Sequence, residues 1–164
     1  MFSSQSLPVT DVTRRQFCTG LCHVSALAAL GITLESCGGG SPAGPSGDVG
    51  SALPMISASV ANNAFMLTVD AASPLAAVGS AALAQTSAGN FLLARTTQDA
   101  ILAFTATCTH EACTITRFDS GAFGCPCHGS RFSTAGAVLN GPASRALRQF
   151  ATQFAANVLT VSVV

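Results

Sequence analysis

The sequence predicts an all-β fold, a small antiparallel β-sandwich or barrel formed by residues 53–164. The apolar residues of this region fall in short runs between turn residues, and no long stretch has strong helical periodicity. In addition, 49% of the 164 residues are hydrophobic, which is enough for one buried core and too many for a chain that is disordered throughout.

The first and last predicted strands frame this domain. Residues 65–69 form the apolar run Phe-Met-Leu-Thr-Val, and the Asn62-Asn63 pair before it is typical of a turn. Residues 157–164 end the chain with a β-branched run that favours a strand. Residues 75–83 are alanine-rich and short, so their pattern does not distinguish a strand from a helix.

A hairpin is predicted between these two strands. Residues 91–95 and 101–104 are apolar runs, and Thr97-Gln98-Asp99 between them is typical of a hairpin turn. Further along, Gly136 and the Gly141-Pro142 pair mark turns. The sequence therefore predicts local pairing of neighbouring strands, without internal repeats.

The N-terminal part of the sequence indicates export. Thr13-Arg14-Arg15-Gln16-Phe17 precedes an apolar stretch at residues 17–34, and this order resembles a bacterial twin-arginine export signal. The 18 residues of that stretch are near the lower limit for a membrane-spanning helix, so a retained anchor is a second interpretation. Both interpretations place the folded domain outside the cytoplasm, where disulfides persist.

Cys37 is a candidate for lipidation. Leu34-Glu35-Ser36-Cys37 resembles a lipoprotein cleavage box, although Glu35 departs from the small or apolar residue usual there. The glycine-, proline- and serine-rich residues that follow are typical of a flexible linker. We therefore divide the chain into an export signal that can also be a lipoprotein signal or anchor (1–37), a linker (38–52) and a folded domain (53–164).

The charge balance narrows the choice of partners. Seven arginines and seven acidic residues leave a formal net charge of zero, so no broad positive field is available for nucleic acid. Arg117, Arg131, Arg145 and Arg148 are interpreted as ordinary surface charges, with a modest basic rim as the alternative. The sequence predicts no nucleic-acid partner.

Two short segments carry most of the side chains that can bind a metal. Residues 108–113 read Cys-Thr-His-Glu-Ala-Cys and residues 125–130 read Cys-Pro-Cys-His-Gly-Ser. Each segment offers a thiol and an imidazole, and 14 residues separate His110 from Cys125. Such donors suit either a structural zinc ion or an iron–sulfur cluster, and the residue types alone leave both open.

In order and spacing, these two loops resemble those of the Rieske [2Fe–2S] proteins, and the similarity extends over roughly residues 75–164. The resemblance implies one [2Fe–2S] cluster per chain, with Cys108 and Cys125 on one iron and His110 and His128 on the other. Two neutral imidazoles replace two thiolates in such a centre. Its potential is therefore expected at roughly −150 to +300 mV, above that of all-cysteine ferredoxins.

The resemblance also assigns roles to residues around the cluster. Cys113 and Cys127 match the disulfide of the bc-type members, and Ser130 matches a serine whose hydroxyl donates to a cluster sulfur. Phe132 replaces a tyrosine of the quinol-oxidising members, so one hydrogen-bond donor is missing and a lower potential is expected. Glu111 replaces an apolar residue, and a carboxylate is costly to bury unpaired. It therefore argues against a dry quinol pocket or for a different, basic partner; a solvated loop residue is the alternative.

These features predict an electron carrier with no catalytic site of its own. Its expected partner is a redox protein, either a cytochrome c or the large subunit of an oxidoreductase, with quinol as a further candidate. Three settings remain open: a free-standing, membrane-tethered carrier, the iron–sulfur subunit of a quinol–cytochrome c reductase, and the small subunit of an arsenite-oxidase-like complex. A zinc-binding structural module is the more distant alternative.

Overall fold

The computed structural model describes residues 50–164, and every regular element within them is a β-strand. This confirms the all-β prediction. The predicted export signal and Cys37 lie outside the described residues. Inside the described range, no helix is long and apolar enough to cross a membrane.

Residues 50–164 form fourteen strands, most of them short. Their bounds are β1 Ser51–Ala52, β2 Met55–Ser57, β3 Val60–Ala61, β4 Ala64–Thr68, β5 Ala81–Thr86, β6 Gly89–Thr97, β7 Ala100–Thr105, β8 Arg117–Asp119, β9 Ala122–Gly124, β10 Arg131–Ser133, β11 Val138–Asn140, β12 Gln149–Phe150, β13 Thr152–Ala155 and β14 Val158–Ser162.

The strands form three sheets. The loop sheet has the order β1-β8-β9-β10-β11, the central sheet β12-β7-β6-β5-β2, and the distal sheet β13-β14-β4-β3. All strand pairs in these sheets are antiparallel except β2 with β5, which is parallel. The antiparallel prediction therefore holds, with one added strand at the edge of the central sheet.

The central sheet is buried on both faces. Leu92 belongs to a hydrophobic core shared with Phe123 and Phe132 of the loop sheet, which we call the loop core. Its neighbour Leu93 belongs to a second core shared with Phe65 of the distal sheet, which we call the distal core. Side chains alternate along a strand, so a strand between two cores needs apolar residues at successive positions. The uninterrupted apolar runs of β5 and β6 follow from this position.

The predicted turns and strands correspond to observed ones. Asn62 and Asn63 form the turn before β4 with φ angles of 49° and 57°, in the left-handed region that asparagine tolerates. The predicted hairpin is the β6–β7 pair, in which Thr97 lies opposite Ala100. Residues 157–164 contain β14.

The ambiguous residues 75–83 divide between a turn region and a strand. Turns and bends occupy residues 71–79, and β5 begins at Ala81. Arg95, of which only 6% is exposed, donates hydrogen bonds to the carbonyl oxygens of Leu75 and Ala76 at 3.0 and 2.9 Å. These bonds satisfy peptide groups that no sheet partner satisfies, so the turn region packs closely against β6.

Candidate metal centre

Two loops at one end of the loop core contain the predicted cluster-binding residues. Loop 1, residues 108–113, lies between β7 and β8, and loop 2, residues 125–130, connects β9 to β10. Cys108 and Cys125, the first residues of the two loops, both belong to the loop core. The fold therefore brings together two segments that are separated in sequence.

The two loops are closed by the same pair of backbone hydrogen bonds. In loop 1 the Cys108 N–H donates to the Cys113 carbonyl, and the Ala112 N–H donates to the Cys108 carbonyl. In loop 2 Cys125 donates to Ser130 and Gly129 donates to Cys125 in the same way. Ala112 and Gly129 occupy equivalent positions, with φ angles of 56° and 75°. The loops are thus two copies of one backbone turn.

The thiols of Cys108 and Cys125 are free and buried, with exposures of 3% and 1%. Burial raises the pKa of the Cys125 thiol, because the charged form loses solvation, and the neighbouring Cys108 raises it further. A metal ion can replace the protons of two such buried thiols, and both sulfurs then serve as metal ligands.

The imidazoles of His110 and His128 lie side by side near the surface. Their ring centroids are 5.0 Å apart, and their side chains are 29% and 46% exposed. The Glu111 carboxylate is 3.9 Å from His110 Nε2 and 3.7 Å from His128 Nδ1. Donor atoms of these three residues therefore lie within 4.8 Å of one another.

The predicted disulfide between Cys113 and Cys127 is confirmed, with an S–S distance of 2.06 Å. It links loop 1 to loop 2 across 14 residues of sequence. The two bonded sulfurs lie within 4.8 Å of the free Cys125 sulfur. Because a disulfide sulfur is a poor metal ligand, the thiols left for metal binding in the two loops are those of Cys108 and Cys125.

Ser130, the last residue of loop 2, and Phe132 on β10 are fully buried. The Ser130 hydroxyl oxygen accepts a hydrogen bond from the Ala143 N–H at 3.0 Å, so its own proton remains available to donate. The bond fixes the segment after the Gly141-Pro142 turn against loop 2. The Phe132 ring packs in the loop core with both free cysteines.

Sequence reasoning missed two features of this region. Ala112 adopts a left-handed conformation that its residue type does not indicate; only its place in a loop like that of Gly129 could have suggested it. The Thr109 hydroxyl donates to the Arg145 carbonyl at 2.6 Å and so brings a distant segment beside loop 1. No local pattern reports a contact across 36 residues.

Two matching loops that each present a thiol and an imidazole from an all-β scaffold define a metal-binding β protein. The sequence model of the Rieske [2Fe-2S] domain matches residues 66–151, and the chain therefore belongs to this family. Its cofactor is a Rieske [2Fe–2S] cluster, and the chain is an iron–sulfur electron-transfer protein.

The curated relatives are similar to this chain over a short segment. The cytochrome b6-f complex iron-sulfur subunit of Prochlorococcus marinus is 52% identical over 44 residues, 26% of this chain and 24% of the subunit. The Rieske protein YhfW of Bacillus subtilis is 50% identical over 44 residues, 26% of this chain and 9% of YhfW. The matched segments thus span a quarter or less of these relatives' own lengths.

Solved structures to which the chain is similar include a small domain and a large enzyme. The plasma membrane Rieske protein PetC3 of Synechocystis is 35% identical, with 58% of this chain and 97% of PetC3 covered and a TM-score of 0.49. A naphthalene 1,2-dioxygenase is 20% identical, with 62% of this chain and 26% of the dioxygenase covered and a TM-score of 0.53. The dioxygenase shows a likeness of fold alone.

Proposed function

We propose that the [2Fe–2S] cluster is held by Cys108 and Cys125 on one iron and by His110 and His128 on the other. The observation that carries this assignment is that two free, buried thiols and two adjacent imidazoles come from two loops closed in the same way. The disulfide occupies the other two cysteines. When bound, the cluster supplies one-electron chemistry.

The protein's own groups shape the surroundings of this centre. The loop core shields the thiols from water, and the disulfide holds the loops together. The imidazoles remain partly exposed, so they form the edge at which a redox partner approaches. The two cysteine sulfurs are buried in the core, and the two histidine imidazoles face the surface. This arrangement fits an iron–sulfur cluster that exchanges electrons at the protein surface.

Ligand variants of the full chain test the assignment. Cys125→Ser should abolish the red-brown absorption and the electron paramagnetic resonance signal of the reduced protein, because a hydroxyl is a poor iron ligand. The double variant Cys113→Ser/Cys127→Ser is the matched control and should still bind the cluster. Retention of the cluster by Cys125→Ser would contradict the assignment, and zinc without iron would favour the structural module.

The chain is further proposed to act outside the cytoplasm as a membrane-tethered electron carrier. The twin-arginine motif and Cys37 support this proposal, as does the similarity to a protein described as a plasma membrane Rieske protein. Cell fractionation tests it. Arg14→Lys/Arg15→Lys should leave the protein in the cytoplasm, whereas the control Arg131→Lys should not. Cys37→Ser should release it from the membrane; unchanged fractionation would contradict lipidation at Cys37.

A place in a complex is the second candidate. It is favoured by the similarity to cytochrome b6-f iron-sulfur subunits, and quinol–cytochrome c reductase and arsenite-oxidase-like complexes are the two kinds considered. The exposed Glu111 carboxylate, 61% accessible beside the histidines, favours the carrier because burying it in a dry quinol pocket is costly. Purification of the tagged full chain in mild detergent distinguishes them: stoichiometric co-purification of a larger subunit would contradict the free carrier.

A further inference from the structure

A groove of about 550 Å³ lies beside loop 1, and two of the four proposed ligands, Cys108 and His110, form part of its lining. Three threonines and two arginines line it, together with loop residues that include His110 and Glu111. The groove is therefore continuous with the edge at which the histidines reach the surface. The threonines and arginines are Thr105, Thr107, Thr109, Arg145 and Arg148.

The two arginines supply positive charge that no ion pair within residues 50–164 neutralises. Both are exposed, and neither forms an ion pair with a carboxylate in that range. The Arg148 guanidinium carbon lies 4.7 Å from the centre of the Phe150 ring, which holds this cation in place. Unpaired guanidinium groups in a groove suit carboxylates, which they bind in a bidentate geometry.

Backbone contacts fix these arginines next to the cluster loop. The Arg145 carbonyl accepts the Thr109 hydroxyl bond at 2.6 Å, and the Arg148 carbonyl accepts the Thr105 N–H at 2.9 Å. One bond ends on loop 1 and the other on β7. A partner that binds the arginines is thereby positioned against loop 1. Because the segment that carries them is already ordered, binding costs little further conformational entropy.

Glu111 gives the groove a negative group as well. Its carboxylate lies beside the two histidines, and no ion pair within residues 50–164 joins it to Arg145 or Arg148. The groove thus combines two arginines that form no ion pair within residues 50–164 and one carboxylate, next to the proposed ligands Cys108 and His110. Exposed charges of both signs are typical of a transient protein contact, whereas a small-molecule site is enclosed and mostly apolar.

We propose that this groove docks a carboxylate-bearing surface of the redox protein partner, with carboxylates on Arg145 and Arg148. The inference deepens the proposed function and rests on it, because docking beside His110 matters only if electrons leave through that edge. It also sets the chemistry of the partner, whose contact patch should be acidic around its own redox centre.

Electron transfer to two forms of one acceptor tests the docking. The reduced full-length holoprotein is mixed by stopped flow, at low ionic strength, with native cytochrome c or with succinylated cytochrome c. Succinylation turns the lysines of the acceptor into carboxylates while keeping the haem. In each reaction one electron leaves the reduced protein and converts ferric to ferrous haem. The variants are Arg145→Gln/Arg148→Gln and, as control, Arg117→Gln, a charge on β8 that does not line the groove.

We expect Arg145→Gln/Arg148→Gln to slow the reaction with succinylated cytochrome c about tenfold, because a favourable local field is lost. The reaction with native cytochrome c should not slow, and Arg117→Gln should change either rate by less than about twofold. Equal slowing with both acceptors, or slowing no greater than that of Arg117→Gln, would overturn the proposal. The reduction potential is measured for every variant, so that a slower rate caused by weaker docking is distinguished from one caused by a smaller driving force for electron transfer.

Two further measurements keep the outcomes distinct. Iron content and absorbance are recorded before mixing, and their absence from the wild-type protein would contradict the proposed function itself. If the double variant does not take up iron, the wild-type salt dependence decides. Rising salt should slow the reaction with succinylated cytochrome c, and an unchanged or faster rate would overturn the docking.

Discussion

Ala112 occupies the left-handed conformation that Gly129 occupies in the matching loop. This conformation costs an L-residue about 1–2 kcal/mol, and glycine avoids that cost. Part of the gain is offset because glycine increases the conformational entropy of the unfolded chain. We therefore expect Ala112→Gly to raise the free energy of unfolding by about 0.5–1 kcal/mol.

Denaturant unfolding measures this gain. Ala156→Gly is the control, since Ala156 has a similar φ of 48° in the β13–β14 turn, far from the loops in sequence. Both variants should stabilise the protein, and only Ala112→Gly should slow loss of the cluster. A less stable Ala112→Gly protein would show that relief of backbone strain at this position does not outweigh the added freedom of the unfolded chain.

Phe132 is the residue at which the potential of the centre should be adjustable. It is fully buried in the loop core with Cys108 and Cys125, and it lacks the hydroxyl that its resemblance to quinol-oxidising members would place there. A hydrogen bond that is stronger in the reduced state by about 1 kcal/mol corresponds to roughly 40 mV for one electron. Phe132→Tyr should therefore raise the midpoint potential by about that amount.

Protein-film voltammetry of Phe132→Tyr checks this expectation. Phe118→Tyr is the control, because it adds a hydroxyl to another ring packed against the same core, on β8. An unchanged or lower potential for Phe132→Tyr would show that Phe132 serves packing alone.

At the scale of the element, successive side chains of β6 belong to different cores. Leu92 and Leu93 are both fully buried neighbours, but Leu92 belongs to the loop core and Leu93 to the distal core. Truncation of either side chain to alanine should cost about 2–5 kcal/mol of stability. Only the cavity left by Leu92→Ala adjoins the core that contains Cys108 and Cys125.

Comparing Leu92→Ala with Leu93→Ala therefore distinguishes an effect on overall stability from an effect on cluster retention. We expect Leu92→Ala and Leu93→Ala to lower the free energy of unfolding by similar amounts, while Leu92→Ala alone accelerates loss of cluster absorbance. Unfolding in urea and the decay of absorbance under a chelator supply the two readouts. Equal decay rates for the two variants would contradict a local role of the loop core.

At the scale of the whole molecule, the distal core contains none of the proposed ligands. A group that binds only the folded state stabilises it, so removing the cluster should lower the melting temperature. The three sheets should nevertheless persist, because most of their buried surface is independent of the metal. Circular dichroism of chelator-treated protein should retain its β signal, and a random-coil spectrum would show that folding requires the cluster.

Sequence predicted the parts of this molecule that local patterns encode. Apolar runs located β4, β6, β7 and β14, because strands that face a core need such residues. The strands of the loop sheet were not predicted, since two or three residues are too few to show a period.

The site, too, was predicted only in the parts that local sequence patterns encode. The order of cysteines and histidines in the two loops predicted the Cys113–Cys127 disulfide through the family resemblance. It could not predict the groove, because Arg145 contacts loop 1, and Arg148 contacts β7, through bonds between distant segments. Their interpretation as ordinary surface charges followed from sequence neighbours alone.

The closeness of three sulfurs in the two loops bears on the order in which the molecule matures. The free Cys125 sulfur lies within 4.8 Å of both sulfurs of the disulfide. A thiolate so placed can attack the disulfide and release the other cysteine, an exchange that balances without an added oxidant. Burial raises the pKa of the Cys125 thiol and so disfavours the thiolate, which slows that reaction, and a metal bound to the same sulfur would prevent it. A chain that receives its cluster first and is oxidised afterwards avoids mispairing; in the exported protein proposed above, those two steps belong to different compartments.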